Sequence, residues 1–159
     1  MSDASPSSAP ALTIRDLAPD EFPLILPLVE LHNPKIAPEE LRRRLEVMIP
    51  HGYHCIAAFD GDQVVGIAGY WLGARFYCGE YMDVDNVVVD PTLRSQGIGA
   101  QMMHYLHEKA EALGCKVVVL DSYVTYVGAH RFYFREGYEI LGFHFSRKTA
   151  LLETHRSAP

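Results

Sequence analysis

The segment Val87-Val88-Val89-Asp90-Pro91-Thr92-Leu93-Arg94-Ser95-Gln96-Gly97-Ile98-Gly99-Ala100 constrains this chain more than any other. Three β-branched residues in a row favour a strand. Pro91 ends that strand by removing a backbone donor. A basic turn carrying two glycines then opens directly into a helical pattern. Gly97 and Gly99 permit close approach of backbone to a ligand and backbone angles that other residues avoid. The amides from Ser95 to Ala100 then converge at the positive end of the following helix, and Arg94 adds a side-chain charge. A strand–turn–helix of this kind suits a phosphate or pyrophosphate. The alternative is a tight turn that the glycines merely ease.

The turn is not a P-loop, because no Gly-Lys-Ser/Thr follows at the required spacing. Nor does it fit the dinucleotide fingerprint, which needs three glycines and a later acidic residue for the ribose. The pattern here is Arg-x-x-Gly-x-Gly.

The chain has 159 residues, enough for one domain with a substantial core. Its net charge of −6 argues against nonspecific nucleic-acid binding and suits cationic small molecules. No apolar run is long enough to cross a membrane, so no membrane partner is expected. Cys55, Cys78 and Cys115 are widely spaced, without metal-ligand spacing or a CxxC motif, which points to reduced thiols and a cytoplasmic location. His104 and His107 are spaced i, i+3 with no third ligand candidate nearby, so no metal is expected. Residues 1–11 are Ser/Pro/Ala-rich and read as a disordered leader, with residues 155–159 as a tail.

Between them the elements follow from pattern. Leu12 to Arg15 alternates as a first strand. Asp20 is positioned to cap a helix running to about His32, with Pro23 tolerated in its first turn and Pro27 kinking or breaking it. A second helix follows Pro38, with Leu41, Leu45 and Met48 on one face and Arg42, Arg43 and Arg44 solvated. Asp60-Gly61-Asp62 marks a hairpin between strands Tyr53–Phe59 and Val64–Trp71. A further strand runs from about Glu80 to Val89. A third helix spans about Gly97 to Leu113, burying Ile98, Met102, Leu106, Ala110 and Leu113, and stops at Gly114. Val117 to Leu120 reads as a strand buried on both faces and parallel to the one before that helix. A short helix over Val127–Glu136 and one or two strands from Tyr138 to about Leu152 complete the order. The expectation is a single α/β domain over residues 12–154, with a mixed sheet, mostly antiparallel, around a central parallel pair and flanked by helices.

The Arg94–Gly99 turn after Val-Val-Val-Asp-Pro resembles the coenzyme A pyrophosphate loop of the GCN5-related N-acetyltransferases, the GNAT family. A second segment, Ala129-His130-Arg131-Phe132-Tyr133-Phe134-Arg135-Glu136-Gly137-Tyr138, resembles the family pattern Ala-x-x-Phe-Tyr-x-x-x-Gly-Phe, with tyrosine in the last place. The resemblance covers Leu12 to about Lys148. It implies direct transfer of an acetyl group from acetyl-CoA to an amine in a ternary complex. The β-strand residues Val87, Val88 and Val89 would line the pantetheine arm, with the amides of Val87 and Val89 bonding it. Arg94, Ser95, Gln96, Gly97, Ile98, Gly99 and Ala100 would hold the pyrophosphate, and the parallel strands would splay at the thioester. Tyr133 matches the tyrosine that protonates the departing thiolate in many members. Tyr126 stands where many members carry a cofactor-bonding asparagine, a role that Ser122, Thr125 or a backbone group would otherwise fill. His130, on the same short helix, is a further candidate contact. A homodimer is the implied assembly, since dimers are frequent in the family.

An ammonium has no lone pair, so amine attack needs a base. Glu80, Asp83 and Asp85 lie on the strand before the loop, and Asp83 and Asp85 share a face by the period of two. Asp83 matches a glutamate base of histone-acetylating members. Either acid, directly or through water, is the candidate base; a bulge in the strand would turn Asn86 inward instead. The alternative is solvated edge charge, or binding of the substrate's cation alone. A phenol such as Tyr133 is protonated at neutral pH and can donate to a thiolate, or it is a core tyrosine beside Phe132 and Phe134. Trp71, Phe76, Tyr77 and Tyr81 form either an aromatic acceptor wall or sheet core. The expected function is acetyl transfer to a small cationic amine. The alternatives are a noncatalytic acyl-CoA-binding or regulatory module on the same fold and a protein or peptide N-acetyltransferase.

Overall fold

The computed structural model describes residues 12–149, so the leader, the end of the expected last strand and the tail lie outside the described residues. The described residues fall into two compact units that divide after Leu120.

The first unit is built on a five-stranded sheet in the order β1-β2-β3-β4-β5. Its strands are β1 (Thr13–Asp16), β2 (His54–Asp60), β3 (Gln63–Arg75), β4 (Gly79–Val89) and β5 (Val117–Leu120). The first four pair antiparallel, and β5 runs parallel to β4. The β2–β3 hairpin turns at Asp60-Gly61-Asp62 as the sequence indicates, but β3 continues four residues past Trp71, to Arg75. β5 is half-buried throughout rather than buried on both faces, because it stands at the end of the described sheet with a ladder partner on one side.

Helices α1 (Leu26–His32) and α2 (Pro38–Met48) cover one sheet face. Their Leu26, Leu28, Leu41 and Leu45 share a core with Tyr53, Cys55, Ala57, Ile67 and Val88. A 3-10 segment, Pro19–Ile25, precedes α1, and the change from 3-10 to α at Leu26 falls beside Pro27. Asp20 is not the cap. Ala18 occupies that position, and the Glu21 carboxylate accepts from the Ala18 amide while Arg15 clamps it with bonds of 2.9 and 2.8 Å. A charge-assisted fork outcompetes a lone aspartate for the helix entry. Arg42, Arg43 and Arg44 are exposed, and the last two bond Glu40.

Helix α3 (Ile98–Ala112) covers the opposite face, where a side chain at Gly66 would meet Met102 and Ile98. Ile98, Met102, Leu106 and Ala110 are buried as expected, together with Met103. Leu113 is half exposed, because the helix has ended at Ala112 and its stripe no longer faces the sheet. The Asp16 carboxylate ties three elements together. It accepts from Tyr70 of β3 at 3.1 Å and from Tyr105 and Lys109 of α3 at 2.6 and 2.8 Å. Burial pushes this carboxyl up, yet the bonds from Lys109 and Tyr105 outweigh it and hold it below the usual range.

The second unit holds α4 (Val127–Arg135), closed at Gly137 with φ of 87°. The expected strands after Tyr138 do not form within residues 138–149. Alternating aromatic and β-branched residues create a strand only where a neighbouring edge supplies hydrogen bonds, and Ile140, Phe143 and Phe145 remain exposed. Among the described residues no helix is long and apolar enough to cross a membrane.

Candidate active site

The glycine turn takes the form its sequence suggests, with two additions. Asp90 organises the end of β4: its carboxylate accepts from the Thr92 amide at 2.8 Å and the Thr92 hydroxyl at 2.7 Å, bonds that hold its carboxyl below the usual range. Pro91–Leu93 then makes one 3-10 turn. Ser95 and Gly97 both adopt left-handed backbone, with φ of 66° and 80°. Gly97 is the N-cap of α3 and offers no side chain to its first turn, so the leading amides are left for an external acceptor. Gly99 takes ordinary helical backbone inside α3, so the conformational demand falls on Ser95 and Gly97 instead. Arg94, Ser95 and Gln96 are exposed, and Ile98 is buried beneath them as the anchor of the helix.

Upstream, β4 carries a bulge. Val88 pairs with Ile67 and Asp85 with Gly69, so Asn86 and Val87 together oppose Ala68. Asn86 absorbs the turn with φ of 51°. The irregularity begins after Asp85 and leaves the alternation through Asp83 and Asp85 intact. It also brings Val88 onto the same face as those acids, in the α1/α2 core. The β4–β5 ladder ends at Val84–Leu120, so among the described residues β5 has no ladder partner from Asp85 to Val89. The ladder stops there because β5 itself ends at Leu120, one residue short, on the β4 side, of the Asp85 at which the bulge begins.

The acid-bearing face has a definite lining. Asp83 pairs with Trp71, Asp85 with Gly69 and Tyr81 with Gly73. A side chain at Gly69 would collide with the Tyr53 ring, and a Cβ at Gly73 would stand 2.8 Å from Tyr81. The two glycines are notches into which rings lie. Tyr53, Trp71 and Tyr81 thus form a row beside the two carboxylates, with Tyr53 and Trp71 in ring contact at 5.4 Å. Burial drives the Tyr53 phenol far above its usual value, and Cys55 and the charge of Asp85 add to this. Burial likewise lifts the Cys55 thiol to about 12. Both groups are neutral near pH 7, so neither adds charge beside the aspartates. Phe76 and Tyr77, by contrast, are exposed at the β3–β4 turn and do not join this row.

In the second unit Tyr133 lies on α4, with Phe132 at 5.2 Å and Tyr138 at 5.8 Å between ring centres. Burial raises its phenol, which keeps it a proton donor at neutral pH. Tyr126 is the N-cap of α4, half exposed and edge-on to Tyr123. His130 is committed locally, its Nε2 lying 2.9 Å from the Tyr123 carbonyl oxygen. The Ser122 hydroxyl is buried and has no hydrogen-bond partner among the described residues. His104 lies beside Glu108 at 3.4 Å, an i, i+4 surface pair.

Residues 12–138 match the Acetyltransferase (GNAT) family. The chain belongs to that family. It is 29% identical over 99 residues to the aminoalkylphosphonate N-acetyltransferase of Salmonella typhimurium strain LT2, an alignment covering 62% of this chain and 64% of that protein. The match thus spans somewhat under two thirds of that relative. In fold the chain is similar to the aminoglycoside N-acetyltransferase AAC(6')-Iy in complex with CoA, with a TM-score of 0.78 at 13% identity over 92% of this chain and 99% of that one. It is also similar to the ribosomal-protein-alanine N-acetyltransferase of Brucella melitensis biovar Abortus 2308, with a TM-score of 0.76 at 16% identity over 88% and 100%. Acetyltransferases of this fold therefore include both small-molecule and protein enzymes.

The sequence pattern marks Ser95 as a pyrophosphate contact but not as a left-handed residue, and it does not mark Tyr53 as part of the site. Tyr53 carries a legible signal, since Gly69 and Gly73 in a strand mark a close approach by something large. Ser95 carries none, because serine gives no advance notice of left-handed backbone.

Proposed function

We propose that this family member is an acetyl-CoA-dependent N-acetyltransferase acting on a small amine. The observation that carries the reading is the course of β4. One strand presents Asp83 and Asp85 on an aromatic face, runs on past the end of β5, bulges, and delivers the chain to a helix entry with no side-chain cap.

The edge of β4 at Val87, Val88 and Val89, beyond the β5 ladder, suits a pantetheine arm added like a strand, and the Arg94–Ala100 turn suits a pyrophosphate. Ser122 is the candidate for the missing asparagine contact, because a buried hydroxyl without a partner gains most from one. Tyr126 and His130 are peripheral contacts in this reading. Asp83 and Asp85 hold the acceptor's ammonium beside the aromatic row, and one of them takes its proton as the nitrogen attacks the thioester carbonyl. Tyr133 returns a proton to the departing thiolate sulfur. The free cysteines suit a reducing compartment such as the cytoplasm, and a homodimer is the proposed assembly.

The test has two stages. Thermal stability is titrated with acetyl-CoA, against 3′-dephospho-CoA and ATP; stabilisation of about 2.7 kcal/mol is expected at a hundredfold excess over Kd. Coenzyme A release is then followed across small amines, aminoalkylphosphonates and an N-terminal peptide. Release with a small amine, lost or shifted to higher pH in Asp83→Asn or Asp85→Asn, supports the reading. Binding of acetyl-CoA without transfer to any amine overturns it in favour of a binding module, and transfer to the peptide alone makes the chain a protein acetyltransferase.

A further inference from the structure

Arg75 closes the row of residues on the acid-bearing face. It follows Trp71 and Gly73 at the period of two, and its guanidinium lies over the Tyr81 ring, 4.4 Å from the centre. The Tyr81 ring in turn rests in the Gly73 notch. Arg75 also donates to the Tyr77 hydroxyl at 3.4 Å. Its contacts with Tyr77 and Tyr81 push its pKa up, so the guanidinium stays charged. Among the described residues it has no carboxylate within ion-pair distance, a state it shares with Arg42, Arg94, Arg131 and Arg135 but not with Arg15, Arg43 and Arg44. Two tyrosines thus fix the direction of a guanidinium that has no counter-ion.

Its position relative to the acids is set by the strand. Tyr81, beneath the guanidinium, is two residues from Asp83, or about 7 Å along β4. The face therefore presents carboxylates, then an aromatic floor, then a cation. We infer that the acceptor carries an oxyanion as well as an amine. Its ammonium lies between Asp83 and Asp85, its short alkyl chain crosses the Trp71–Tyr81 floor, and its phosphonate, carboxylate or sulfonate meets Arg75. Hydrogen bonds at both ends leave room for a linker of roughly two to four carbons. A planar guanidinium takes such an oxyanion through two parallel bonds. A purely cationic acceptor gains nothing from this end of the face.

This inference rests on the acetyl transfer proposed above, and its test separates the two. Acetyl transfer by the full chain is measured for 3-aminopropylphosphonate, γ-aminobutyrate and uncharged n-butylamine, in the parent protein and in Arg75→Leu and Arg75→Lys. The parent is expected to prefer the oxyanion-bearing amines by at least about tenfold in kcat/KM. Arg75→Leu should remove that preference by raising KM for the two oxyanion-bearing amines, and Arg75→Lys should retain part of it. Transfer to n-butylamine with no preference, or a preference that survives Arg75→Leu, overturns the role of Arg75 while acetyl transfer stands. Failure to acetylate any of the three amines with acetyl-CoA bound overturns this inference, and acetyl transfer falls with it only when the wider amine panel fails as well. Arg75 is exposed, so loss of folding does not confound the variants.

Discussion

A phenol that burial keeps protonated can do more than fill space, and Tyr133 is the residue whose role one atom decides. Its hydroxyl is the only polar group that Tyr133→Phe removes, while the ring contacts with Phe132 and Tyr138 survive. Loss of a proton donor in the transition state should lower kcat on the order of a hundredfold, with acetyl-CoA affinity intact. A thermal shift with acetyl-CoA beside a rate measurement separates the two effects, and unchanged turnover across pH would remove Tyr133 from the chemistry. The acids on β4 illustrate a related point. Period-two spacing showed that Asp83 and Asp85 share a face, but not what else shares it. That Tyr53 lies in the Gly69 notch beside Asp85 came only from the fold.

Among the elements, the entry to α3 depends most on backbone conformation. Gly97 has φ of 80° and nothing within 4 Å of where a Cβ would stand, so an added methyl meets strain and no clash. Gly97→Ala should cost about 1 kcal/mol of stability, a shift of a few degrees in Tm. Acetyl-CoA affinity should fall more than that figure alone implies, because the same angle aims the amides. Calorimetric titration checks this; a lowered Tm with unchanged affinity would show that the turn's shape matters to folding and not to binding. The strand–turn–helix order and the paired strands were legible in sequence because each has a local period and local punctuation. The helix entry at Ala18 was not. It depends on Arg15 reaching Glu21 from another element, and no local pattern records that contact.

For the whole molecule the telling variable is acid. Asp16, Glu21 and Glu40 all have carboxyls held below their usual range, the latter two to about 2. A carboxyl lowered in the folded state adds stability above its unfolded value, and that stability is lost as pH falls through the folded one. Tm should therefore be steady near neutrality and fall between about pH 4.5 and about pH 2. Asp16 has the greatest leverage, since it joins β1, β3 and α3. Its side chain is 38% exposed, so Asp16→Asn should cost only about 1–2 kcal/mol at pH 7. The gap between parent and variant should close in acid, as the parent loses the same charge; a gap independent of pH would mean that shape rather than charge holds the junction.

By itself the sequence determined the order of elements, the glycine-led helix entry and the strand that bears two acids. Each of these rests on interactions between residues close in the chain, where backbone preference and hydrophobic period act directly. Tertiary structure alone decided where the bulge interrupts β4, which rings line the acid-bearing face and that Arg75 lies over Tyr81. It also left residues 138–149 without the strands their alternation suggests. These outcomes depend on partners distant in the chain, and a side chain's neighbours across a sheet are set by register, which the residue itself does not encode.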